Sequence, residues 1–169
     1  GVQTCALPIF ADAALYLMKT KPELGIKYPY ALDQKQFDAS VALLKEQKPL
    51  IGEYWGDYLK HVASIKAGNT VLGTTWQVNI NLAQSEKVKV AGIKPVEGST
   101  GWSDTWMISS KAKHPNCAYL WMNHIISPQA NAGVAEWFGE APSNAKSCDL
   151  TADKNHCTTF HAGDTGYRS

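Results

Sequence analysis

Five consecutive residues, Trp102-Ser103-Asp104-Thr105-Trp106, carry two tryptophans and one carboxylate directly behind the loop Gly98-Ser99-Thr100-Gly101. Gly98 and Gly101 suit a tight loop with unusual backbone angles. Strand residues spaced by two point to the same side, so a strand starting here puts both rings and the acid on one face. A ring face attracts positive charge and a carboxylate pairs with it, and together they hold an organic cation. The ring contribution is about 0.5 to 2 kcal/mol, largest where water is excluded. The competing reading makes the tryptophans core and Asp104 a turn cap.

Other groups were weighed for chemistry. Tyr54-Trp55-Gly56-Asp57 repeats the aromatic-plus-acid theme, with packing the favoured reading. Glu97 reads as a solvated loop acid rather than a ligand contact. Asp57, His61 and a serine have the residue types of a catalytic triad, but no spacing joins them. The chain has no Gly-x-Ser-x-Gly elbow, no phosphate loop and no His-Glu-x-x-His, so no enzyme and no cofactor are expected. Cys148 and Cys157 bracket a short polar loop, a spacing that suits a local disulfide and hence an oxidising compartment. Free thiols, or a zinc site of Cys148, His156, Cys157 and His161, are the alternatives. The zinc spacing matches no standard pattern, and no metal is expected. His124 and Cys117, seven apart on one helix, read as packing, with the pairing state of Cys117 left open. Trp121, Trp137 and Phe138 read as core.

Alternating helices and strands must position these residues. The sequence predicts a helix over 11–19 and another over 34–47 capped by Asp33, with Phe37, Val41 and Leu44 as its buried stripe. A strand is expected at 50–54, a helix at 58–67 closed by Gly68-Asn69, and a buried strand at 70–76. A helix follows over 77–86, then a strand at 88–93, a loop at 95–101, and a strand continuing from Trp106 to Ser109. Pro115 opens a helix over 116–126, whose apolar face is Ala118, Trp121, Met122 and Ile125. Ser127-Pro128 opens the next, which runs to Phe138 and is capped by Gly139. The alternation argues for an α/β fold with some parallel pairing. In such sheets ligands lie beyond the carboxyl ends of strands, and Trp76 sits at one such end.

The 169 residues are 44% hydrophobic and 18% charged, enough for a sizeable core. The net charge of +1 is spread along the chain, with no basic tract for nucleic acid. No apolar run approaches the roughly 20 residues of a membrane span. Six tryptophans and seven tyrosines suit either a core or a ligand cleft. Residues 1–9 look like a translated sequencing adapter and are set aside, with Cys5, from fold reasoning. The end at Tyr167-Arg168-Ser169 likewise reads as a fragment's end.

An ordered set of pieces resembles a known family. Leu72-Gly-Thr-Thr-Trp76, Pro95-Val-Glu-Gly-Ser-Thr-Gly-Trp102-Ser-Asp104, Ser127-Pro128 and Trp137-Phe-Gly-Glu-Ala-Pro-Ser-Asn144 follow as in the later half of spermidine/putrescine-type substrate-binding proteins of ABC transporters. The resemblance covers roughly residues 10–165. It implies a two-lobed periplasmic-binding-protein-like α/β fold, with the first part of the N-terminal lobe missing here. Residues 10–100 would form most of one lobe, 101–140 a hinge crossover and return segment, and 141–169 a loop-rich tail. It further implies a polyamine ligand, an ABC permease partner, a periplasmic location and a monomer. Aromatics matching Trp76 and Trp102 sandwich the methylene chain in that family, and an acid matching Asp104 binds an amine. Gly101 and Ser103 depart from the pattern, which leaves the ligand's length and charge count open. The Cys148–Cys157 loop resembles a subgroup. Another small cationic solute, an amino acid, or a protein-interaction role for the tryptophans remain alternatives.

Overall fold

The computed structural model describes residues 2–5 and 9–168, with side chains from 9 to 167. The chain divides into two compact units, 1–101 and 102–169.

The first unit is built on three short parallel strands, β1 (Val2–Cys5), β2 (Ile51–Trp55) and β3 (Leu72–Gly73), in the order β2-β1-β3. The central strand therefore falls within the stretch set aside as adapter-like, of which residues 1 and 6–8 lie outside the described residues. Helix α1 (Ile9–Thr20) buries Ala11, Ala13, Ala14 and Leu17. These mostly small side chains let α2 (Gln34–Gln47) approach closely, and Phe10 stacks on Phe37 across the pair at 5.6 Å. Asp33 caps α2 as expected. Its carboxylate accepts from the Gln36 amide while the Gln36 side chain accepts from the Asp33 amide, so two otherwise unpaired donors are satisfied together. On α2 the fully buried residue is Ser40, whose hydroxyl bonds back to the Gln36 carbonyl; Phe37 is exposed, and Val41 and Leu44 are half-buried.

Helix α3 (Tyr58–Lys66) begins at Asp57, which accepts from the Leu59 amide, and ends at Gly68 in the left-handed region (φ 75°). Helix α4 (Gln77–Ser85) lies beside it, joined by the ion pair of Lys66 with Glu86.

The expected strands after residue 70 are mostly absent. Only Leu72 and Gly73 pair, opposite Val2 and Gln3, and Val71 is 82% exposed. Residues 88–93 form no ladder; the Val90 carbonyl accepts from the Gln84 side chain instead. Residues 102–109 are likewise irregular. A strand exists only where a neighbour offers a matching row of amides and carbonyls. Among the described residues, the second unit has no strand at all.

That second unit is helical. Helix α5 (Pro115–Ile125) starts on proline at its first turn, as does α6 (Pro128–Phe138), which stops at Gly139 in the left-handed region (φ 78°). Ala132 and Ala135 are the buried residues of α6. Trp121, Trp137 and Phe138, expected in the core, are exposed instead, Trp137 by 85%, because the inward positions belong to small residues. A 3-10 segment (Ala145–Leu150) and the short helices α7 (His156–Thr159) and α8 (Thr165–Arg168) complete the unit. No helix among the described residues is long and apolar enough to cross a membrane.

Candidate functional site

The strand order locates the first candidate. The chain leaves β1 for β2 on one side and returns to β3 on the other. Open α/β sheets bind ligands beyond the carboxyl ends of their strands, where the order reverses in this way. Trp76 follows β3 there, as the residue preceding the first turn of α4. It is half-buried, and its orientation has a visible cause. Trp55, only 3% exposed, meets it edge-on at 5.3 Å and stacks on His61 at 4.8 Å. The Trp55 indole N–H donates to the Thr74 carbonyl at 3.1 Å, fixing the segment that carries Trp76. Burial holds His61 below its ordinary pKa, with partial compensation from Glu53. Trp55 and His61 thus pack against one another, and Asp57 serves as the cap of α3.

Nearby, Asp12 of α1 accepts from the Thr100 hydroxyl at 2.6 Å. Burial raises the Asp12 pKa, and the Thr100 hydrogen bond opposes that rise. The start of the Gly-rich loop is thereby tied to α1, with Gly98 (φ 109°) lying over Leu15 and Tyr30 donating to the Gly101 carbonyl at 3.4 Å. Two cavities open between α1 and α2. One, about 290 Å³, is apolar apart from Lys45 and Lys48. The other, about 270 Å³, includes Asp12, Tyr16 and Thr74. Trp76 lines neither.

The second unit holds the other two residues singled out by sequence. Trp102 is 66% exposed and Asp104 is exposed on the same irregular segment. The same-face argument loses its basis, because it required strand geometry. Trp106 lies edge-on to Trp121 at 6.2 Å, so this ring is engaged with α5.

Glu140 is a residue that sequence reasoning passed over. Glu140, one residue beyond the Gly139 cap, has its pKa raised, first by burial and then by the negative charge of Asp104. Glu140 lay inside the quoted Trp137-to-Asn144 stretch. Its only local signal was an acid directly after a helix-capping glycine.

Cys148 and Cys157 are joined as a disulfide with Cα atoms 5.7 Å apart, and Cys117 is a free, exposed thiol. The disulfide takes both thiols of the alternative zinc set. Among the described residues no group of three or more His, Cys, Asp or Glu side chains is arranged to hold a metal ion.

Residues 8–158 match the family model described as bacterial extracellular solute-binding protein. That family is generally non-enzymatic, and membership implies a small-molecule ligand, an ABC permease partner and an extracytoplasmic location. With most of its length matched, the chain belongs to the bacterial extracellular solute-binding proteins.

Proposed function

We propose that the solute is a polyamine of the putrescine or spermidine type, taken up by an ABC importer from the periplasm. The observation that carries this reading is an exposed tryptophan, Trp102, and an exposed carboxylate, Asp104, two residues apart on one irregular segment. An ammonium group pairs with a carboxylate by charge and donates charge-assisted hydrogen bonds to it. Exposed indole faces cover methylene groups and attract cations. In this reading Trp76, Trp102 and Asp104 are ligand-binding residues, the rings contacting methylene groups and the carboxylate an amine. Residues 10–100 supply most of one lobe in this reading, and 101–140 the hinge and return segment of the other.

The test is calorimetric titration of the folded chain with putrescine, spermidine, choline and arginine. Saturable spermidine or putrescine binding that weakens in Asp104→Asn supports the reading. Binding of choline or arginine with both polyamines silent replaces the polyamine by another cationic solute.

A further inference from the structure

Trp76 stands where a helix begins, and its residue type fits that position poorly. It precedes the first turn of α4, and its side chain makes no capping hydrogen bond there. Short polar side chains cap a helix at this position, and an indole does not. Chains break such local preferences at binding sites and compensate nearby. The residues around Trp76 show the compensation.

Asn79, in the first turn of α4, holds two successive residues. Its backbone amide donates to the Trp76 carbonyl at 3.0 Å. Its side-chain Nδ2 donates to the Thr75 hydroxyl at 3.0 Å. The Thr75 hydroxyl directs its own proton at the Trp76 carbonyl in a long bond of 3.5 Å, so its oxygen is the acceptor towards Asn79. Trp55 meanwhile donates to the Thr74 carbonyl at 3.1 Å. Residues 74, 75 and 76 are thus each held, the first from β2 and the other two from α4.

The Asn79 side chain is fully buried, and its Oδ1 has no hydrogen-bond partner among the described residues. Burying an amide with one end unpaired is unfavourable, and leucine, of similar size, would avoid that cost. Space-filling alone therefore does not account for asparagine here. The bond from Nδ2 to Thr75 does.

We propose that Asn79 is a positioning residue that sets the Trp76 ring, acting through the Thr75 hydroxyl. The inference rests on the reading of Trp76 as a ligand contact for its functional meaning, but its geometry is testable without any ligand. The ring position has its own marker, because Trp76 lies edge-on to Trp55 at 5.3 Å and 80°. Asn79→Leu keeps the bulk and removes the donor. Thr75→Val keeps the shape and removes the acceptor, whereas Thr75→Ser keeps the hydroxyl.

The experiment has two readouts on the whole chain. The first is the nuclear Overhauser contact between the Trp55 and Trp76 ring protons, with no ligand present. We expect it in wild type and Thr75→Ser, and expect it to be lost in Asn79→Leu and Thr75→Val. A contact retained in either folded variant overturns the proposal; if one variant does not fold, the other decides. The second readout is spermidine affinity, measured in the wild-type and Trp76→Ala backgrounds. Asn79→Leu and Thr75→Val should each weaken binding about three- to tenfold, within the worth of one ring contact, and should add nothing once Trp76 is alanine. Unchanged affinity in both variants, or an equal loss in the Trp76→Ala background, overturns the proposal. If the ring contact behaves as stated but wild type does not bind spermidine, the polyamine reading fails and the positioning role stands.

Discussion

Trp55 decides how firmly Trp76 is set, and its replacement separates packing from hydrogen bonding. The indole is buried, stacked on His61 at 4.8 Å, edge-on to Trp76 at 5.3 Å, and bonded to the Thr74 carbonyl at 3.1 Å. Phenylalanine keeps a ring for both aromatic contacts but cannot donate. Losing one hydrogen bond costs about 0.5 to 1.5 kcal/mol, and the smaller ring leaves part of a cavity, so Trp55→Phe should cost about 2 kcal/mol. Trp55→Ala removes both ring contacts and empties the site, at about 3 to 5 kcal/mol. With a urea slope of about 2 kcal/mol per molar, the unfolding midpoint drops by about 1 M for Phe and about 2 M for Ala. Far-UV circular dichroism is the assay, because fluorescence would report the lost indole itself. Equal midpoints for the two variants, or an alanine variant within about 0.5 kcal/mol of wild type, would refute the role given to Trp55.

Three further outcomes follow from local geometry. Asp33→Ala removes one half of the α2 capping box and should lower stability by about 1 kcal/mol in the same urea experiment. Thr100→Val should cost about 1 kcal/mol at neutral pH, a charge-assisted bond discounted for partial exposure; the loss should shrink in acid as Asp12 protonates, read as the difference in thermal midpoint against pH. Glu140 has a folded-state pKa above its ordinary 4.5, so its contribution to stability is present below that value and lost as pH rises through the folded value. Glu140→Gln should therefore match wild type in acid and become the more stable protein above about pH 4.5. A constant offset between the two melting curves across pH would contradict the raised Glu140 pKa.

Helices were legible in the sequence because their stop and start signals are local. Asp33 with Gln36, Pro115, Ser127-Pro128 and Gly139 each act on the backbone within a few residues, and each marks an observed helix end. Strands were not, because pairing is a long-range condition. The β-branched run at 70–76 has strand composition, yet only two of its residues find partners on β1. Those partners lie in the stretch set aside on composition, so the middle strand was missed. The tryptophans of the second unit misled for a related reason. Hydrophobicity alone does not say which face of α6 turns inward, and Ala132 and Ala135 take that face. For the candidate site, Trp76 and Asp104 were chosen from residue type and order. Glu140 was not, since 35 positions separate it from Asp104, whose charge contributes to its raised pKa, and no local pattern connects the two. The disulfide was legible because two cysteines closing a short polar loop have few other partners within reach.

The most direct measurement is the calorimetric titration of spermidine into the folded chain at neutral pH, for wild type and Asp104→Asn. The account predicts saturable one-to-one binding that weakens by at least about tenfold in the variant, the worth of one charge-assisted bond. No binding by the folded wild type, or an affinity unchanged by Asp104→Asn, would contradict it.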